Sequence, residues 1–236
     1  MRLFNKLILC ALFMASIQTA TAGVSLGATR VIYNEKDKET ALEVRNAPDE
    51  GAAEKAFLIQ SWVSNFDEAN KSKTPFVFTP PLFKLASGKS NRLRLTVTDL
   101  AALPSDRESI FLINVRAIPS TQKESSSNAL EISFQNIIKL IYRPAALTSE
   151  KAAVAYRELK VSREGDIIVM KNSTPYYISI GTLMSGDKKI DKSITVPPAI
   201  NGKDGEIRIE SKTRGTLTWN AINDGGGMTS SVSSAG

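Results

Sequence analysis

The chain is 236 residues long and carries 30 lysines and arginines against 24 acidic residues, no histidine and a single cysteine. Without histidine, a Ser-His-Asp triad and imidazole-ligated metals are excluded. The formal charge of +6 is modest for this length, and the basic residues are scattered with no accompanying aromatic-arginine motif, which argues against a nucleic-acid surface.

Residues 1–22 read as a secretory leader. Arg2 and Lys6 form the positive end, Leu7–Ile17 the apolar centre, and Ala20, Thr21 and Ala22 a small-residue cleavage site that places the mature start at Gly23. Removing Arg2 and Lys6 with the leader lowers the net charge to +4. The lone cysteine, Cys10, leaves with it, so the mature chain is expected to hold no disulfide and no thiol nucleophile. No later segment approaches the ~20 apolar residues that a spanning helix needs, so membrane insertion is not expected. The expected location is outside the cytoplasm.

Strands are expected at Val24–Tyr33, Glu39–Arg45, Lys55–Val63, Phe76–Phe78, Ser90–Val97, Ser109–Ile118 and Ala129–Arg143. Short strands at this spacing indicate an antiparallel sandwich. Pro80 and Pro81 suit a tight turn with a cis bond. The polar stretch after Arg143 suits a linker at 144–149. A second set follows at Leu159–Ser162, Asp166–Lys171, Tyr176–Ser185, Ile194–Val196, Glu206–Ser211 and Thr216–Ile222, with turn residues at Asn172–Pro175 and Asn201–Gly205. The tail Met228–Gly236 is small and polar, and is expected to fray. The division is therefore a leader at 1–22, one domain at 23–143, the linker, and a second domain at 150–236.

Asn128–Pro144 is the most informative stretch. At period two, Leu130, Ile132, Phe134, Ile138, Leu140 and Tyr142 share one face, while Glu131, Ser133, Gln135 and Lys139 face the other way with Ile137 and Ile141. This run is far longer than the usual five or six residues of a strand (about 5–6), and a loose polar loop precedes it. A long apolar edge invites aggregation unless it is blunted, so a chain that keeps one is expected to pair it with another chain. Taken alone, Arg30 and Lys139 read as surface residues of strands, and Leu130, Ile132 and Phe134 as the core of a last strand.

Other motif fragments carry little. Gly88, Lys89 and Ser90 resemble the end of a phosphate loop, but position 83 is Phe where glycine is required. Ser120–Lys123 and Ser185–Lys188 fit S-x-x-K without its companion motifs.

The run Ile137–Pro144 (IIKLIYRP), after alternating apolar residues, resembles the end of the first domain of the periplasmic pilus chaperones, the PapD-like family. Val24–Tyr33, Thr79–Leu95, Arg107–Pro119, Asn172–Ile180 and Ala221–Gly226 resemble further family segments in the expected order. The resemblance implies an all-β fold of two immunoglobulin-like β-sandwich domains set at an angle, L- or boomerang-shaped. It implies no enzyme activity, cofactor or nucleotide. It implies a periplasmic chaperone whose partners are pilus or fimbrial subunits and an outer-membrane usher. Arg30 and Lys139 would anchor the subunit's C-terminal carboxylate, and Leu130, Ile132 and Phe134 would be the donor-strand residues that complete the subunit fold. Glu108, Arg143 and Asp224 would form a salt-bridge network fixing the angle between domains. Glycine follows Asp224 where the family commonly has an aromatic. The free chaperone could mask its edge by self-association. The competing reading is a structural or adhesive two-domain pilus component. It requires an N-terminal donor extension, whereas Gly23–Tyr33 runs directly into a first-domain strand.

Overall fold

The computed structural model describes residues 23–48, 56–120 and 132–234, so the leader read at 1–22 and the donor position Leu130 lie outside the described residues. The first sandwich is built from β1 (Val24–Leu26), β2 (Arg30–Asn34), β3 (Thr40–Asn46), β4 (Phe57–Asn65), β5 (Phe76–Thr79), β6 (Leu82–Leu85), β7 (Ser90–Val97), β8 (Ser109–Pro119) and β9 (Phe134–Arg143). A four-stranded sheet in the order β1-β3-β7-β5 accompanies a five-stranded sheet in the order β2-β9-β8-β4-β6. Alternation decides which side chains go inward. Leu93 and Leu95 of β7 are fully buried while Arg92 and Arg94, alternating with them, point outward. Tyr33, Phe76, Phe111 and Tyr142 form an aromatic cluster in this core, with ring centroids 5.0–6.4 Å apart.

One expected element is corrected. Val24–Tyr33 is two strands in two different sheets: β1 pairs with β3, and β2 pairs in parallel with β9. The break falls at Gly27, whose N–H donates to the Glu43 carbonyl at 2.9 Å; a Cβ there would come within 3.2 Å of the Glu43 Cβ. The crossover has a direct consequence. Because β2 begins only at Arg30, opposite Lys139, the Phe134–Ile138 part of β9 has β8 on one side and no described strand on the other.

The expected linker at 144–149 runs directly into α1 (Ser149–Val154), which was not expected and is capped by the Thr148 side chain, which accepts from the Lys151 N–H. Its single turn and a half is too short for a helical period to show in the sequence. A 3-10 turn at Ala155–Arg157 leads into the second sandwich. This comprises β10 (Lys160–Glu164), β11 (Ile167–Asn172), β12 (Ile178–Ser185), β13 (Lys188–Lys189), β14 (Ile194–Val196), β15 (Gly205–Glu210), β16 (Leu217–Ala221) and β17 (Val232–Ser234). One sheet runs β10-β11-β15; the other runs β13-β12-β16-β17, with β14 also paired to β12. The tail is not simply frayed: β17 covers the edge of β16, with Val232 opposite Trp219. A three-residue strand with one apolar side chain is invisible to period-two reading. Trp219 is buried in the core and donates from Nε1 to the Tyr156 carbonyl at 3.2 Å. The all-β, two-domain architecture is as expected.

Candidate functional site

The β2–β9 ladder places the charged residues. In its register Arg30 stands opposite Lys139, and Asn34 opposite Arg143, so the two neighbouring strands deliver three cations toward the second sandwich. Period two sends Lys139, Ile141 and Arg143 to the face opposite Leu140 and Tyr142, which are in the core.

Arg143 is the centre of the junction between the sandwiches. Its Nε donates to Glu108 Oε1 at 2.7 Å, its Nη1 to Asp224 Oδ2 at 2.7 Å, and its Nη2 to Asp224 Oδ1 at 3.1 Å. Nη1 also donates to Ser149 Oγ of α1 at 2.9 Å. The other Glu108 oxygen accepts the Tyr177 backbone N–H at 2.8 Å. Burial pushes the Glu108 carboxyl up from the usual carboxylate range, against the opposing pull of Arg143. Burial also opposes the Arg143 charge, but hydrogen bonds and charge from Asp224 and Glu108 outweigh it and hold the guanidinium above its ordinary value. The turn carrying Asp224 is closed by Asn223, which accepts from Gly226 and Gly227. Gly226 has φ +85°, and a Cβ there would run into the Thr29 hydroxyl of the first sandwich. Glycine at this turn thus lets the two sandwiches approach.

Arg30 and Lys139 have no carboxylate partner among the described residues. Arg30 Nη1 donates to the Ile222 carbonyl at 3.0 Å, and its Nε is buried with no hydrogen-bond partner. Lys139 Nζ donates to Ser179 Oγ at 3.0 Å and Thr195 Oγ1 at 2.7 Å. Burial, then the neighbouring Arg30, lowers the ammonium to about 8. Burial likewise lowers Arg30, with Asp224 partly offsetting it. Two half-desolvated cations held side by side form a site whose complement is an anion.

Beyond Lys139 the strand turns apolar and exposed. Phe134 is 62% exposed and Ile137 55%; Ile132, 55% exposed, is not part of the strand, which was expected from Ala129 but begins at Phe134. Leu140 and Tyr142, on the same face as Phe134, are buried, so the face passes from core to open surface along a single strand. Ile137 lies on the other face and lines a hollow of about 650 Å³ with Trp62, Leu112 and Asn114.

Sequence reasoning did not single out Ser179, Thr195, Ser149 or Ile137. Ser179 was legible as the polar interruption of the apolar run Tyr176–Ile180. Thr195 sits in β14, a strand expected from the sequence, but nothing in that pattern marked its hydroxyl as functional.

Comparison with known proteins identifies the family. Residues 23–148 match the model of the pili and flagellar-assembly chaperone PapD N-terminal domain, and residues 154–233 that of the pili assembly chaperone PapD C-terminal domain. The chain is 37% identical over 220 residues to the chaperone protein FocC of Escherichia coli, covering 92% of this chain and 91% of that protein. The crystal structure of the periplasmic chaperone SfaE superposes with a TM-score of 0.71 at 36% identity, covering 89% of this chain and 98% of the other. The SafB chaperone, solved in complex with the Salmonella enterica SafA pilin, is similar with a TM-score of 0.77 at 28% identity, covering 92% and 98%.

Proposed function

The chain belongs to the PapD-like family of pilus-assembly chaperones, which are not enzymes, and we propose that it captures a pilus subunit by strand addition along the free part of β9. The observation that carries this reading is the register pairing of Arg30 with Lys139 at the point where, among the described residues, the unpaired edge of β9 begins. An incoming segment takes the lane that β2 leaves empty beside Phe134–Ile138. If its C-terminal carboxylate sits at Arg30 and Lys139, its chain direction runs toward them, the same direction as β9. The added strand is therefore parallel to β9, continuing the geometry of β2. Backbone hydrogen bonds supply affinity, and Ile132 and Phe134, with Leu130 ahead of them, enter the subunit's open groove. The Glu108–Arg143–Asp224 network holds the second sandwich against the anchor.

In this account the chain works in the periplasm after its leader is removed at Gly23, and passes subunits to an outer-membrane usher. The intact mass of the periplasmic protein should begin at Gly23; a chain retaining Cys10 would contradict the leader assignment. Functionally, the test is copurification. The exported protein should carry a pilus subunit identified by mass, and Arg30→Ala with Lys139→Ala should come through empty while melting like the wild type. Subunit retention by that folded double variant would remove the anchor.

A further inference from the structure

The anchor proposed above, on which this inference rests, takes its charges from one sandwich only. The acceptors that hold those charges come from the other. Ser179 and Thr195 are Cα partners on the β12–β14 ladder. The rungs on either side, Ile178 with Val196 and Ile180 with Ile194, are buried in the second core. Only the middle rung faces the junction, and it presents two hydroxyls side by side to one ammonium.

We propose that Ser179 and Thr195 are positioning residues of the carboxylate anchor, fixing Lys139 across the junction so that its remaining N–H meets a carboxylate without a change of rotamer. A lysine side chain is flexible and carries three donors. Here two donors are used, and the third has no partner among the described residues. A hydroxyl can accept from an ammonium but cannot neutralise it, so the pair orients the charge and leaves it available. A carboxylate in either position would consume the charge by ion pairing. Arg30 is held in the same way, by a backbone carbonyl at Ile222, and its buried Nε keeps a donor free.

The titration behaviour follows from the same geometry. Arg30 faces Lys139 from β2, while β12 and β14 contribute only uncharged hydroxyls; Asp224 acts on Arg30. Lys139 stands at about 8 for burial and for Arg30, in that order. The accepting hydroxyls favour its charged form, so removing them lets the value fall further.

The test uses the full-length mature protein and a twelve-residue peptide of alternating valine and serine ending in a free carboxylate, with its C-terminal amide as control. Calorimetry gives the acid-over-amide preference, which isolates the anchor from strand addition. The wild type should prefer the acid by at least about tenfold, the scale of one charge-assisted hydrogen bond. Thr195→Val, isosteric but without the hydroxyl, and Ser179→Ala should each cut the preference several-fold and shift its loss on alkalinisation to lower pH. Thr195→Ser should restore both. Lys139→Ala should abolish the preference. A preference and pH midpoint unchanged in Thr195→Val and Ser179→Ala, with Lys139→Ala null, would overturn the positioning role alone. No acid preference in the wild type would overturn the anchor and this inference together.

Discussion

At the scale of single residues, the junction separates charges that hold the molecule together from charges left for a partner. The Arg143 and Glu108 side chains are 2% and 1% exposed, so removing one strands the other in a dry site. Arg143→Met should lower unfolding free energy by about 3–5 kcal/mol in urea. Asp224→Asn should cost less than about 1 kcal/mol, because its side chain is 37% exposed and water screens the pair. Equal losses would mean that the buried pair is no more important than the exposed one. Lys139 gives a pH prediction. Its value is lowered to about 8, so the charged form that binds a carboxylate is full at pH 7 and mostly lost at pH 9. One unit above the midpoint leaves roughly a tenth of it protonated. Subunit affinity should therefore fall about tenfold from pH 7 to 9, while Lys139→Ala shows no such step; a flat wild-type profile would contradict this. Composition and charge exclude chemistry but single out none of these residues. Arg30, Lys139, Glu108, Arg143 and Asp224 were legible only through the order of family-like segments, because their meeting depends on contacts as distant as 192 positions along the chain. The hydroxyls of Ser179 and Thr195 acquire meaning only once β12 and β14 pair across from β9.

At the scale of elements, β9 divides into a core half and an exposed half. Leu140→Ala should destabilise by about 2–5 kcal/mol, through lost burial and a cavity. Phe134→Ala and Ile132→Ala should leave the melting temperature nearly unchanged, because neither side chain is buried, and yet reduce the yield of copurified subunit. A large drop in stability with binding preserved would make them plain core. The alternation of β4 and β7 was readable from sequence because each has one wet and one dry face over four or more residues, whereas β9, alternating in residue type, is exposed at one end and buried on both faces from Leu140 onward. The switch of sheets at Gly27 was not, since the residues on either side are equally strand-like and only the contact with Glu43 breaks them. Short elements such as α1 and β17 escape for the same reason: their partners, not their own pattern, make them.

At the scale of the whole molecule, the first sandwich supplies charge and a free edge, and the second supplies the acceptors and carboxylate that fix their orientation. A further tie, Glu35 Oε2 accepting the Ala145 N–H at 2.7 Å, holds the connecting chain to the first sandwich. The central claim is that a subunit strand lies along Phe134–Ile138 with its terminus at Arg30 and Lys139. Backbone amide exchange of this segment, compared in the free protein and in the copurified complex, tests it most directly. The account predicts that amides of Phe134–Ile138 on the unpaired edge exchange rapidly when free and slow by at least about a hundredfold in the complex, roughly the protection of a ladder hydrogen bond that opens only with dissociation. Unchanged exchange there in a chaperone saturated with subunit would place the subunit elsewhere and contradict the account.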